Sequence, residues 1–315
     1  MSLSGIAGQQ LHVNLAVACA IVHTWQLTGD DAVLLDDGGL EILLELARFW
    51  LSAVQGPDAA GAFHLPCVTG PDELHHKIDD NWYTNAVLAH HLRELVGLLA
   101  DLARRQPADC ARLRAACGFD AATEARACLV ADGLFLPALP SGAPAQFAGF
   151  EKQPEANCAI RNQWGIGDNT HKQADTVLVA QMLPRAVEAS WLARAYDTYA
   201  PLCTQTSSLS PGSHALAAAR LGRADDAERF LRLACGMELD DAWANTAHGI
   251  HGAGQGGLWI AAVHGLGGVQ VDASGLAIEP HLPPCWPRFD YSLHLHGGVL
   301  RVTVTTTEVT VRREG

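Results

Sequence analysis

From about residue 10 to about residue 265 apolar side chains recur at intervals of three and four, as in Leu40, Leu43, Leu44, Ala47 and Leu51 and again in Leu216, Ala219 and Leu221. That spacing puts them on one side of a backbone with 3.6 residues per turn, so most of the chain has to fold as a succession of α-helices. After Gly268 the period changes to two: Val269–Asp272, Leu293–His296 and Leu300–Thr305 alternate apolar and polar residues, separated by Gly275 and the Gly297-Gly298 pair. This pattern predicts strands, and a tail this short makes a small β-element rather than a self-sufficient sandwich.

Breaks at Gly-Pro, Thr-Gly-Asp and proline-rich stretches divide the helical part into segments near 9–27, 31–36, 39–54, 80–101, 107–118, 120–131, 170–182, 184–197, 212–221, 223–235, 246–252 and 255–265. Many of these are rich in Ala and Leu and poor in charge, which predicts helices packed on two sides. Consecutive helices of that kind build bundles, solenoids or closed α/α toroids. Two irregular stretches, 56–79 and 132–169, interrupt the series, and long loops inside a compact domain are usually functional.

A formal net charge of −13, from 21 basic against 34 acidic residues, repels nucleic acid phosphates and anionic lipid, and no basic run offsets it locally. A neutral or small polar partner fits the chain better, and no apolar run approaches the roughly 20 residues that a membrane span needs. Nine cysteines without a C-x-x-C pair, several within apolar helical runs, read as buried free thiols and predict a protein of the reducing cytoplasm.

Four blocks concentrate chemistry. In Thr69–Asn85 a Gly-Pro turn delivers Asp72, Glu73, His75, His76, Asp79 and Asp80 just ahead of a helix that opens with two aromatics. The block reads as a general acid among carboxylates that raise one another's proton affinity, or as a solvated acidic turn with an Asp cap. A metal site from His64, Cys67, His75 and His76 matches no standard zinc spacing. Thr170–Thr176 opens a helix whose first turn carries Lys172 and Gln173, groups that reach sugar hydroxyls or simply decorate a surface helix start, with Asp175 favoured by the dipole. Thr204–His214 sets five hydroxyl residues, between Thr204 and Ser210, and a Pro before an Ala-rich helix, either an anion or sugar-hydroxyl site or a capping box. Asn245–Trp259 is glycine-rich but lacks the strand and Gly-Lys-Ser of a phosphate loop; its His248 and His251 share one helix face as core histidines or ligands of a polar centre.

Taken together these blocks resemble glycoside hydrolase family 65, the maltose, trehalose and kojibiose phosphorylases and related hydrolases. The family's G-P-D-E-Y-H-x-x-x-D-N-N-x-Y-T-N appears as Gly70–Asn85, its K-Q-A-D as Lys172–Asp175 and its S-S-L-S as Ser207–Ser210; Gly257–Trp259, Gly265–Gly268 and Pro280–Pro283 are also similar. The resemblance implies that Glu73 is the general acid, that Lys172, Gln173 and His248 bind substrate, and that Gln205, Ser207 and Ser208 bind phosphate. The reaction implied is inverting cleavage of an α-glucosidic bond in a disaccharide or glucoside, by phosphorolysis or hydrolysis, with no metal or organic cofactor and phosphate as a cosubstrate. Gln205 and Thr206 stand where family phosphorylases usually have a His and an acid, and His248 where the family often has a Glu.

The implied fold is mainly α: a partial (α/α)6 toroid over 9–267, then the β-element over 268–313. The family's N-terminal β-sandwich, linker and first barrel helices have no counterpart before Gln9. The resemblance therefore also implies a chain that begins in mid-barrel and covers the apolar flank Leu11–Val22 with a homodimer partner or a complementary N-terminal chain. The alternative function is a truncated homologue that binds sugar, or pairs with another chain, without turnover.

Overall fold

The computed structural model describes residues 10–150, 171–183, 187–241, 244, 246–272 and 275–314. They are mainly helical, with a small antiparallel β-element at the C-terminal end, as the change of period at Gly268 predicts. The irregular stretch expected over 132–169 lies outside the described residues from 151 onward, and Cys158 with it. The chain divides into two compact units, one bounded by Met1–Pro71, His75–Leu139 and Ala145–Gln153, the other by Asp72–Leu74, Pro140–Pro144 and Pro154–Gly315.

The first unit holds α1 (Val13–Thr28), α2 (Ala32–Leu35), α3 (Gly39–Ala53), α4 (Trp82–Arg105), α5 (Pro107–Ala116) and α6 (Ala121–Gly133). The repeat read from Leu40 to Leu51 is the buried face of α3, which packs against α1, α4, α5 and α6. α4 starts where the Asn81 side chain accepts the Thr84 N–H at 3.0 Å, and α6 where Asp120 accepts the Thr123 N–H at 2.8 Å. Both are side-chain caps for otherwise unpaired helix-end amides. Between α3 and α4 the irregular stretch is held by short two-way pairings, Gln55 with His64 and Val68 with Ile78. His64 hydrogen-bonds Asp80 and Asp58, and the His75 ring lies against Phe147 and Phe150.

The second unit contains α7 (Asp175–Met182), α8 (Ala189–Tyr199), α9 (Ser210–Arg220), α10 (Ala224–Leu239) and α11 (Gly252–Ile260), which runs into a π-helical turn at Ala261–Leu266. α9 is its centre, buried from Ser210 through Ala219 and packed by α7, α8, α10, α11 and the π-helical turn. The sheet element follows: β1 (Val269–Asp272) pairs with β2 (Gly275–Ile278), and β3 (Arg288–Leu295), β4 (Gly298–Thr305) and β5 (Val309–Glu314) form a three-stranded meander. Leu295 pairs with Gly298 across His296 and Gly297, both at positive φ, the two-residue turn that matches the twist of a hairpin. Gly268, at φ +70, turns the chain into β1, and a Cβ there would lie 1.9 Å from the Glu279 carbonyl oxygen.

Two expected elements are corrected. The segment expected to be helical from 170 is not helical over 171–174: α7 starts at Asp175, and Lys172 and Gln173 lie ahead of it rather than on its first turn, because their main-chain groups are bonded elsewhere, as described below. Nor do His248 and His251 share a helix. Thr246–His248 is a single 3₁₀ turn, Gly249 at φ +112 leaves helical space, and Glu238 accepts from the main-chain N–H of His251. The thiols are also more varied than expected. The eight cysteines among the described residues are all free, but Cys67, Cys128 and Cys285 are exposed while Cys110, Cys117 and Cys203 are buried. Among the described residues no helix is long and apolar enough to cross a membrane, and no group of three or more His, Cys, Asp or Glu is arranged to hold a metal ion.

Burial sets one property of the whole chain. It pushes the rings of His91 in α4 and His214 in α9 down from 6.5 to about 4. Both are therefore neutral in the fold but protonated in the unfolded chain over that window. The unfolded state then binds more protons, and stability falls as pH drops from about 6.5 to about 4, by on the order of 3 kcal/mol per ring. Thermal unfolding between pH 7 and pH 4.5 is expected to show this slope, and His91→Leu and His214→Leu are each expected to flatten it whatever they do to stability at neutral pH.

Candidate active site

Among the described residues, the polar groups that converge on Glu73 belong to the second unit. Its framework is set where residues 171–174 run beside 202–204: His171 and Cys203 form a parallel bridge, the His171 N–H donates to the Leu202 carbonyl at 3.3 Å, and the Thr204 N–H donates back to the His171 carbonyl at 3.0 Å. The Lys172 carbonyl accepts from the Ser210 hydroxyl at 2.8 Å and from the Cys203 thiol at 3.3 Å. Burial pushes that thiol up to about 11, so it remains a neutral donor at physiological pH.

The Asp72–Leu74 segment is tied to this framework by its main chain. Asp72 Oδ1 accepts the Lys172 N–H at 2.9 Å, the Leu74 N–H at 3.2 Å and, at the limit of a hydrogen bond, the Gln173 N–H at 3.5 Å. The Asp72 N–H donates to Asp175 Oδ1 at 2.8 Å, and the Glu73 N–H to Gln173 Oε1 at 3.3 Å. With their backbones so fixed, the two side chains meet: Lys172 Nζ donates to Glu73 Oε2. These side chains are 43% (Glu73) and 32% (Lys172) exposed, whereas Asp72 is 1% and Asp175 0% exposed. An ion pair this open contributes no more than about 1 kcal/mol to stability, so the arrangement presents an acid and an amine to solvent from a buried base.

Gln173 extends the cluster to the serine loop, its Nε2 donating to Ser207 Oγ at 3.2 Å. Ser207 Oγ also accepts the Leu209 N–H at 3.3 Å. A hydroxyl has two acceptor positions and one proton. Both acceptor positions of Ser207 are thus in use, and among the described residues nothing accepts its proton. In the same loop Gln205 is held at φ +54, and its side-chain amide is buried with neither atom hydrogen-bonded among the described residues. Thr204 and Thr206 pair their hydroxyls at 2.7 Å, and α9 begins three residues beyond Ser207.

The structure therefore brings together Glu73, Lys172, Gln173 and Ser207, with Gln205 and Ser208 on the same loop as Ser207. His248 stands exposed at the end of its 3₁₀ turn, and among the described residues no hydrogen bond joins it to Glu73, Lys172 or Gln173. Three members of the cluster were not singled out from the sequence: Ser210, Cys203 and the carboxylate of Asp72 as a main-chain acceptor. Their bonds span 31 to 100 residues, and no local pattern signals them.

The helical fold is shared with a putative kojibiose phosphorylase from the human microbiome, which superposes with a TM-score of 0.82 at 24% identity over 96% of this chain and 43% of that one. The profile of the glycosyl hydrolase family 65 central catalytic domain matches residues 3–260, and that of the family's C-terminal domain matches residues 269–315. The chain belongs to glycosyl hydrolase family 65. Among its relatives, an alpha,alpha-trehalose phosphorylase of Geobacillus stearothermophilus is 29% identical over 94% of this chain, and a kojibiose phosphorylase of Halothermothrix orenii is 30% identical over 95%. The chain spans 40% of the length of each of these relatives.

The Gln173–Ser207 bond gives a direct check on the cluster. Ser207→Ala removes a buried acceptor of the Gln173 amide and is expected to cost about 1–2 kcal/mol. Ser208→Ala, at a half-buried position with no such bond, is expected to cost less than about 0.5 kcal/mol. Urea denaturation of the two variants measures the difference.

Proposed function

We propose that this chain carries the acid and the phosphate-binding groups of an inverting α-glucoside phosphorylase. Glu73 protonates the glycosidic oxygen as the bond from that oxygen to the anomeric carbon breaks. A phosphate oxygen forms the new bond to that carbon from the opposite face, releasing a sugar phosphate of inverted configuration and the free aglycone sugar. Lys172 and Gln173, rooted beside Glu73, contact the hydroxyls of the glucosyl unit.

The observation that carries this reading is the pairing, within one hydrogen-bonded cluster, of an exposed carboxylate with a loop that has unspent hydrogen-bonding capacity. The Ser207 proton and the buried Gln205 amide lie just ahead of α9, and the N-terminal end of a helix favours an anion. A buried amide with both atoms unpaired is costly unless a ligand completes it. Phosphate also supplies the nucleophile, so the site needs no second carboxylate as a base. The two other carboxylates of the cluster, Asp72 and Asp175, are buried and engaged with main-chain N–H groups.

Assays of maltose, trehalose and kojibiose with and without phosphate test the proposal. Phosphate-dependent release of a glucose phosphate is expected from at least one of them. Glu73→Gln is expected to lower kcat by about 10²–10⁴-fold while leaving glucoside binding near wild type. Gln205→Ala is expected to weaken the phosphate-dependent rise in unfolding temperature. Release of free glucose at the same rate without phosphate would assign the chain to hydrolysis instead.

A further inference from the structure

Asp72 precedes the proposed acid and is almost completely buried. A capping aspartate typically accepts from N–H groups two or three residues along its own chain. Asp72 does this with Leu74, but its Oδ1 also takes the N–H of Lys172, 100 residues away, and leans on that of Gln173. Its own N–H is fixed in turn by the carboxylate of Asp175. Burying a carboxylate is unfavourable unless charge-assisted hydrogen bonds offset it, and here those bonds run to the two residues whose side chains face Glu73. The Lys172 carbonyl is held independently by Ser210 and Cys203. Both main-chain polar groups of Lys172 are therefore committed, and its ammonium reaches Glu73 from a fixed root.

We propose that Asp72 is the positioning residue of the site: its carboxylate, oriented by Asp175, sets the placement of Lys172 and Gln173 against Glu73 without itself touching a ligand. The functional part of this proposal rests on Glu73 being the acid; the structural part does not. Asparagine at position 72 keeps an acceptor oxygen but loses the charge, while alanine loses both.

Hydrogen–deuterium exchange on the full chain reads the clasp directly. Asp72→Asn is expected to speed exchange at the Lys172 and Gln173 amides by about fivefold or more, and Asp72→Ala by about thirtyfold or more, with Leu216 and Ala217 in α9 unchanged. The partial recovery by asparagine marks the carboxylate oxygen as the cause. In turnover, Asp72→Ala is expected to lower kcat at least about tenfold with the glucoside KM changed less than about threefold, and Asp72→Asn to recover part of the loss. Exchange at Lys172 and Gln173 that matches wild type in Asp72→Asn would overturn the proposal. So would exchange that rises equally throughout α9, since that is the mark of a general loss of stability. Asp72→Asn decides by the same criterion if Asp72→Ala does not fold. Full turnover in Glu73→Gln would instead remove the assignment of the acid, and the exchange result would still decide the role of Asp72.

Discussion

The geometry around Glu73 depends on the main chain of Lys172 being satisfied outside any helix. Its N–H goes to a buried carboxylate and its carbonyl to a buried hydroxyl and a buried thiol, so Asp72, Cys203 and Ser210 converge on one residue. Unpaired main-chain groups are too costly to bury, which makes this convergence a condition for the segment to lie where it does. Each partner that supplies a bond also fixes a neighbour. Asp72 carries Glu73, Ser210 starts α9, and Cys203 leads into the serine loop. The acid, the amine and the loop are thereby placed by one set of interactions rather than by three.

The helices and strands were largely legible in the sequence because their cause is local. The three-four spacing of Leu40 through Leu51 is the buried face of α3, and the alternation after Gly268 lies in β1, β3 and β4. The reading failed where tertiary bonds take main-chain groups that a helix would have used. At 170–174 the composition favours a helix, but Asp72, Ser210 and Cys203 occupy the groups of Lys172, and α7 waits until Asp175. At 246–252 the helical spacing of two histidines is real in the sequence, but Gly249 at positive φ and the claim of Glu238 on the His251 N–H split it into a 3₁₀ turn and a later helix start.

The candidate site was legible in a different way. Glu73, Lys172, Gln173 and Ser207 stood out through blocks that resemble a family, and residue types alone left a surface turn and a helix cap equally open for them. What the sequence did not carry is the base under the site. Asp72 and Asp175 read as part of an acidic turn and as a dipole-favoured helix start, yet they are the most buried polar groups of the cluster and bond to each other's segments. Contacts between residues roughly 100 positions apart leave no periodic trace, so a chain read by periodicity shows the exposed ends of such an arrangement and not its roots.

The division of labour among the three carboxylates bears on the chemistry. Hydrolysis with inversion needs two carboxyl groups with free lone pairs facing the substrate, one to give a proton and one to take a proton from water on the opposite side. Asp72 and Asp175 have lone pairs tied to main-chain N–H groups and almost no exposed surface, so that among the described residues of this cluster Glu73 is the carboxylate with exposed surface. The remaining polar capacity lies in a proton on Ser207 and an amide on Gln205, groups suited to holding an anion rather than to deprotonating water. On the function proposed above, an accessible acid beside a donor-rich loop suits a nucleophile that arrives already charged, as phosphate does.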